Sequence, residues 1–97
     1  MENLKVSSTS EPGAAAGAIA NGIRQQGEAA IQVIGPRAVN QAVKAIAIAR
    51  SYVAASGVDL YFTPSFASVQ IDTIEKTALH FAVRTRHPLT TVRVEPA

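Results

Sequence analysis

The side chains best placed to do chemistry in this chain are Arg37, Asn40 and Lys44, spaced by three and then four residues within the stretch Gly35 to Arg50. At about 100° per residue they fall, with Gln41 and Ser51, on one arc of a helix, opposite Val39, Val43, Ile46 and Val53. A guanidinium, an amide and an ammonium along one helix face can hold phosphate oxygens by charge-assisted hydrogen bonds, and an ordinary solvated face is the competing reading. Arg84 and Arg86 add two more cations on the outward side of a late strand, and Lys76 precedes them. Arg50 falls in the apolar arc. The preferred reading is that it reaches past the helix end to water, the alternative that it pairs with an acid such as Asp59.

Other chemistries find little support. The chain has no cysteine, so disulfides, thiolate nucleophiles and Cys-based zinc sites are excluded together. His80 and His87 lack metal-ligand spacing and read as surface residues. There is no GxSxG elbow, no carboxylate pair at useful spacing, no Ser/His/Asp constellation and no Walker or GxGxxG loop, so neither an enzyme nor a cofactor is expected. The formal net charge of +2 and the pI near 9.4 permit a polyanionic partner without demanding one.

The elements that must position these groups come from periodicity. With 97 residues and 47% hydrophobic content, one compact domain over 1–97 is expected, with a core of about 3–86 and a C-terminal extension of 87–97. Leu4 to Ser7 alternates as a short strand. Ser10 is a natural N-cap for a helix from about Glu11 to Gln26, which Gly27 would end in the left-handed region. Three glycines, Gly13, Gly17 and Gly22, weaken that helix unless close packing needs them. Ala30 to Ile34 reads as a second strand, and Pro36 suits the first position of the second helix. Val58 to Thr63 gives a third strand, which Pro64 should interrupt or place at an edge. Ser65 to Gln70 then reads as irregular or a short extra strand, and Ile71 to Lys76 as the turn region. Thr77 to Arg86 has a strict period of two, with Leu79, Phe81 and Val83 inward. Leu89 to Val94 reads as a further short extended piece. Right-handed crossovers in a βαβαββ order put both helices on one face of the sheet, giving a two-layer α/β (α+β) sandwich with an open side. No signal core or membrane-length apolar stretch is read, and the cytoplasm is the expected compartment.

Several of these stretches together resemble a known family. Leu4-Lys5-Val6-Ser7, the Ala/Gly-rich first helix, Ile34-Gly35, the block Asn40 to Arg50, Ser56-Gly57-Val58-Asp59-Leu60 and Gln70-Ile71-Asp72 are similar to the bacterial stage V sporulation protein S family. The likeness runs from about Leu4 to Val83. Beyond it, Arg84 to Ala97 is longer and more basic than the family core.

The resemblance implies an Alba-like fold, with two helices on one face of a mixed four-stranded sheet. It also implies a small DNA- or RNA-binding regulatory protein tied to sporulation, septation and coat assembly. Alba proteins bind nucleic acid as dimers, through basic residues in the loop before the first helix, on the second helix and in the hairpin between the last two strands. Here the second helix supplies Arg37, Asn40 and Lys44, the hairpin supplies Lys76, and the first loop, Ser7 to Ser10, holds no lysine. Helix N-termini at Ser8 and Ser10 and at Pro36 would add backbone donors for phosphate. The expected partners are DNA or RNA, bound without sequence preference, and a second copy of the chain in a homodimer or larger homo-oligomer. No membrane partner is expected. The alternative is a protein-interaction module acting in assembly without nucleic-acid contact.

Overall fold

Six elements follow one another in the computed structural model, which describes residues 3–86. They are strand β1 (Asn3–Lys5), helix α1 (Pro12–Gln26), strand β2 (Glu28–Val33), helix α2 (Pro36–Ala54), strand β3 (Leu60–Ile71) and strand β4 (Ile74–Thr85). The order is the expected βαβαββ. His87, the extended piece at Leu89 to Val94 and the rest of the 87–97 extension lie outside the described residues.

The sheet runs in the order β1-β2-β4-β3, with β1 and β2 parallel and the other two pairs antiparallel. A parallel pair needs a crossover, which α1 supplies, and both helices then lie over one face. Ile19 and Ile23 of α1, Ile46 and Val53 of α2, and Ile31, Val33, Leu60, Phe81 and Val83 of the sheet form one buried cluster. The pairing sets Lys5, Gln32, His80 and Ser65 side by side across the sheet. By strand alternation this row belongs to the face that no helix covers.

Alanine decides how the helices sit. The residues that α2 buries are Ala38, Ala42, Ala45, Ile46, Ala49 and Val53, whereas Val43, assigned to the apolar arc from the sequence, is 41% exposed. Methyl side chains let α1, α2 and the sheet approach closely, so the packing stripe follows the smallest residues rather than the most hydrophobic ones. Among the glycines of α1, only Gly22 meets close neighbours: a Cβ there would stand 3.3 Å from both the Ala29 Cβ and the Glu28 carbonyl oxygen. The close approach is to β2. Gly13 and Gly17 face open space and are not explained by packing. Gly27 ends α1 as expected, at φ 79°, with its N–H donating to the Ile23 carbonyl at 2.8 Å.

The sharpest departure from expectation lies between β3 and β4. Pro64 does not interrupt β3; the two strands pair without a break from Leu60↔Thr85 to Ile71↔Ile74, and only Asp72 and Thr73 form the turn. Because β3 is an edge strand with one partner, a residue without an N–H can sit there with no lost ladder bond on its outer side. Asp72 takes the positive φ of 57° that so tight a hairpin requires, a conformation aspartate tolerates. Strand β2 reaches only as far as Val33↔Leu79. The hairpin from Ala67 to Ala78 therefore projects past the sheet as a two-stranded ribbon, with Phe66 at its base at 82% exposure and Ile74 near its tip at 60%.

Candidate functional site

The parallel strands β1 and β2 end side by side, and each chain segment then turns up into a helix. Gly35, at φ 90°, makes the turn into α2 abrupt enough for Pro36 to be its first residue. The turn into α1 is built from hydroxyls. The Ser10 N–H donates to the Ser7 carbonyl at 3.2 Å, the Ser7 N–H donates to Ser10 Oγ at 2.9 Å, and Ser7 Oγ lies 3.1 Å from Thr9 Oγ1. Ser10 is not the N-cap. That position falls to Glu11, whose side chain makes no capping bond, because the Ser10 hydroxyl is already engaged inside the turn. Gln41 of α2 fixes this turn from the side, donating from Nε2 to the Ser10 carbonyl at 2.9 Å.

Between these strand ends and the projecting hairpin lies a groove of about 860 Å³. Lys5, Ser7, Ser8, Gln32, Arg37 and Gln70 are among its polar lining, and Ile34, Val69 and Ile71 among its apolar walls. It adjoins a smaller recess of about 380 Å³ lined by Ser8, Pro36, Arg37, Asn40 and Gln41. Among the described residues, neither is lined by an aspartate or glutamate. The two share Ser8, Pro36 and Arg37, so they form one continuous polar surface along the start of α2. Grooves outside the carboxyl ends of strands, where helices begin, are the usual binding position in open α/β sheets.

The structure brings Ser8, Arg37 and Asn40 together in this surface. Lys44 stands two turns further along α2, about 10 Å from Arg37 along the axis at 1.5 Å per residue, and is exposed. Lys76 is opposite Val69 on the hairpin and so shares the side of the ribbon on which Val69 stands. Ser10 contributes its carbonyl and hydroxyl to the turn rather than to the surface. Lys5 was not singled out from the sequence, although it is the basic residue nearest the lysine-free loop. It ends β1 on the open face and lines the groove. The alternation of Leu4, Lys5 and Val6 carried that signal.

Arg84 and Arg86 are not part of this assembly. They stand at the other end of the sheet, where Arg84 Nε is 3.5 Å from Glu28 Oε1 and Arg86 Nε is 3.1 Å from Asp59 Oδ2. Arg50 joins them there, its Nη2 2.7 Å from Asp59 Oδ1, so the acid-paired alternative for this residue is the one the structure adopts. Asp59 also accepts the Leu60 N–H at 3.0 Å, and its carbonyl accepts the Arg86 N–H at 2.8 Å. The hydrogen bond from Arg50, aided by its charge and by Arg86, holds the Asp59 carboxyl below its ordinary value. Arg86 further lies over the Tyr61 ring, 5.4 Å from its centroid. Among the described residues, Lys5, Arg37, Lys44 and Lys76 take part in no salt bridge.

The fold and the groove define the class: a small two-layer α+β protein of Alba-like arrangement, with two helices on one face of a mixed four-stranded sheet. Among the described residues no helix is long and apolar enough to cross a membrane. The family model of stage V sporulation protein S matches residues 2–86, nearly the whole chain, and the chain belongs to that family. It is a small sporulation-related protein.

Proposed function

We propose that this protein is a non-enzymatic, cytoplasmic nucleic-acid-binding regulator that holds the phosphate backbone of DNA or RNA as a homodimer. The observation that carries the reading is the groove with its continuation along α2, where among the described residues no acid lines the surface and Lys5, Arg37 and Lys44 take part in no salt bridge. A cation already satisfied by a neighbouring carboxylate gains little from a phosphate, whereas an unpaired one releases the phosphate's counterions on contact. Lys76 on the projecting hairpin extends the same side. Sequence-specific recognition of single strands is not expected, because the chain has few aromatic residues on which bases could stack.

A second copy has a surface to use. Val43, Ile46, Ala47, Tyr61 and Phe62 line a cleft of about 350 Å³ between α2 and the unpaired edge of β3. Val43 and Tyr61 are 41% and 36% exposed there, and exposed apolar surface beside an open strand edge supports self-association. The same exposure, above all at Phe66 and Ile74, supports the alternative of a protein-interaction module in assembly.

Fluorescence titration of the protein into labelled duplex DNA and into RNA, at about 50 mM and about 200 mM salt, separates the two readings. With about four phosphates neutralised per protomer, and so about eight per homodimer, affinity should fall on the order of ten-thousandfold between those concentrations. Absence of binding at the lower salt, or binding indifferent to salt, refutes the nucleic-acid reading and leaves the assembly module.

A further inference from the structure

Ser8 is a hydroxyl set apart. In the run Ser7-Ser8-Thr9-Ser10, the other three hydroxyls are committed to the turn: Ser7 Oγ lies 3.1 Å from Thr9 Oγ1 and 3.3 Å from Ser10 Oγ, and Ser10 Oγ also accepts the Ser7 N–H. Among the described residues the Ser8 hydroxyl makes no hydrogen bond, and Ser8 is exposed on a two-residue turn with Thr9. It is also shared by the main groove and the recess beside it, as is Arg37. Among the described residues, the lining of the main groove carries two cations, Lys5 and Arg37, and no acid.

We propose that Ser8 is a phosphorylation site that switches off the nucleic-acid surface, an inference that rests on the function proposed above. A protein kinase would transfer the γ-phosphoryl group of ATP to Ser8 Oγ. The new O–P bond forms as the bond between the γ-phosphorus and the β,γ-bridging oxygen breaks, the serine proton passes to the kinase's base, and ADP leaves. The product carries a charge of about −1.5 to −2. That matches the two cations of the groove, so the protein's own phosphate takes the place that a backbone phosphate would fill. A planar guanidinium can grip such a group through two parallel hydrogen bonds, and Arg37 is the one that lines both hollows with Ser8. Phosphate on Ser7, Thr9 or Ser10 would instead break the hydrogen bonds that shape the turn.

The test uses full-length protein carrying phosphoserine installed during translation at position 8, compared with unmodified protein and with protein carrying phosphoserine at exposed position 56, away from the groove. Titrated into labelled duplex DNA at about 50 mM salt, the position-8 form should bind roughly a hundredfold more weakly, as expected when two phosphate contacts are lost, and the position-56 form within about threefold of unmodified protein. Equal weakening in both modified forms, or none at position 8, overturns the proposal. Phosphorus NMR gives a second readout that needs no nucleic acid. The phosphoserine at position 8 should ionise below its usual second pKa of about 6, and Arg37→Gln should raise it back toward that value. A titration unchanged by Arg37→Gln overturns the proposal. Failure of the unmodified protein to bind would refute the nucleic-acid function, and the NMR titration alone would then decide whether Arg37 holds the phosphate. Mass spectrometry of the chain from its own cells should find phosphate on Ser8; its absence from Ser8 throughout growth and development overturns the proposal as well.

Discussion

The two ends of the sheet use the same residue types to opposite effect. At one end Arg50, Arg84 and Arg86 are each matched to a carboxylate, and Asp59 ties the end of α2's helical face, the start of β3 and the end of β4 into one knot. At the other end, among the described residues, Lys5, Arg37 and Lys44 take part in no salt bridge, on a surface built from two helix starts, a serine turn and a hairpin. An arginine count would treat the two ends alike. Their partners make one end a fastening, and the other is the surface proposed above to take a phosphate backbone.

The largest expected effect comes from reversing charge where no acid stands. Arg37→Glu with Lys44→Glu should abolish detectable binding at about 50 mM salt, a loss of at least about a thousandfold, since two contacts are removed and two repulsions added. Circular dichroism should show the fold intact, because both side chains are exposed. Next in size, Lys5→Gln should weaken binding about tenfold for each protomer and reduce the slope of log K against log salt by about 1.8 for the dimer, whereas Arg84→Gln should leave affinity within about twofold and the slope unchanged. Equal losses from these two single substitutions would break the distinction between the ends.

Smaller effects belong to stability. Asp59→Asn should lower the melting temperature and leave the salt slope unchanged. The Asp59 carboxyl is held below its ordinary value of 3.8, so its contribution is fully present above that pH and is lost as pH falls through the lowered folded-state value. Acid melts of the wild type should therefore show a destabilisation that the Asp59→Asn protein lacks. Smallest of all, Gln41→Leu removes the bond to the Ser10 carbonyl. It should cost roughly 1 kcal/mol in urea unfolding and loosen the serine turn, with a loss in affinity of a few-fold at most.

Much of this was legible in the sequence, and the gaps have physical causes. Alternation in Leu79, Phe81 and Val83, Pro36 after Gly35, and the βαβαββ order fixed the architecture, because periodicity and turn chemistry act locally. The continuous β3 was not legible, since whether Pro64 breaks a strand depends on whether that strand is at an edge, a property of the whole sheet. The buried stripe of α2 was misplaced for a similar reason: hydropathy favours Val43 over Ala42, but the spacing between layers favours alanine. In the site, Arg37, Asn40 and Lys44 could be grouped from helical spacing. The pairing of Arg84 with Glu28 and of Arg86 with Asp59 joins residues 56 and 27 positions apart, which no local pattern reveals. Lys5 escaped notice because it lies one strand away from the helix that completes its groove.

The most direct test of the whole account is amide chemical-shift mapping of isotope-labelled protein titrated with a short DNA duplex at low salt. The account predicts that the perturbed amides are those of Lys5 to Ser10, Gly35 to Lys44 and Val69 to Lys76, while Glu28, Asp59, Arg84 and Arg86 stay in place. Perturbations centred on the Asp59 end, with the serine turn and the start of α2 unmoved, would contradict it.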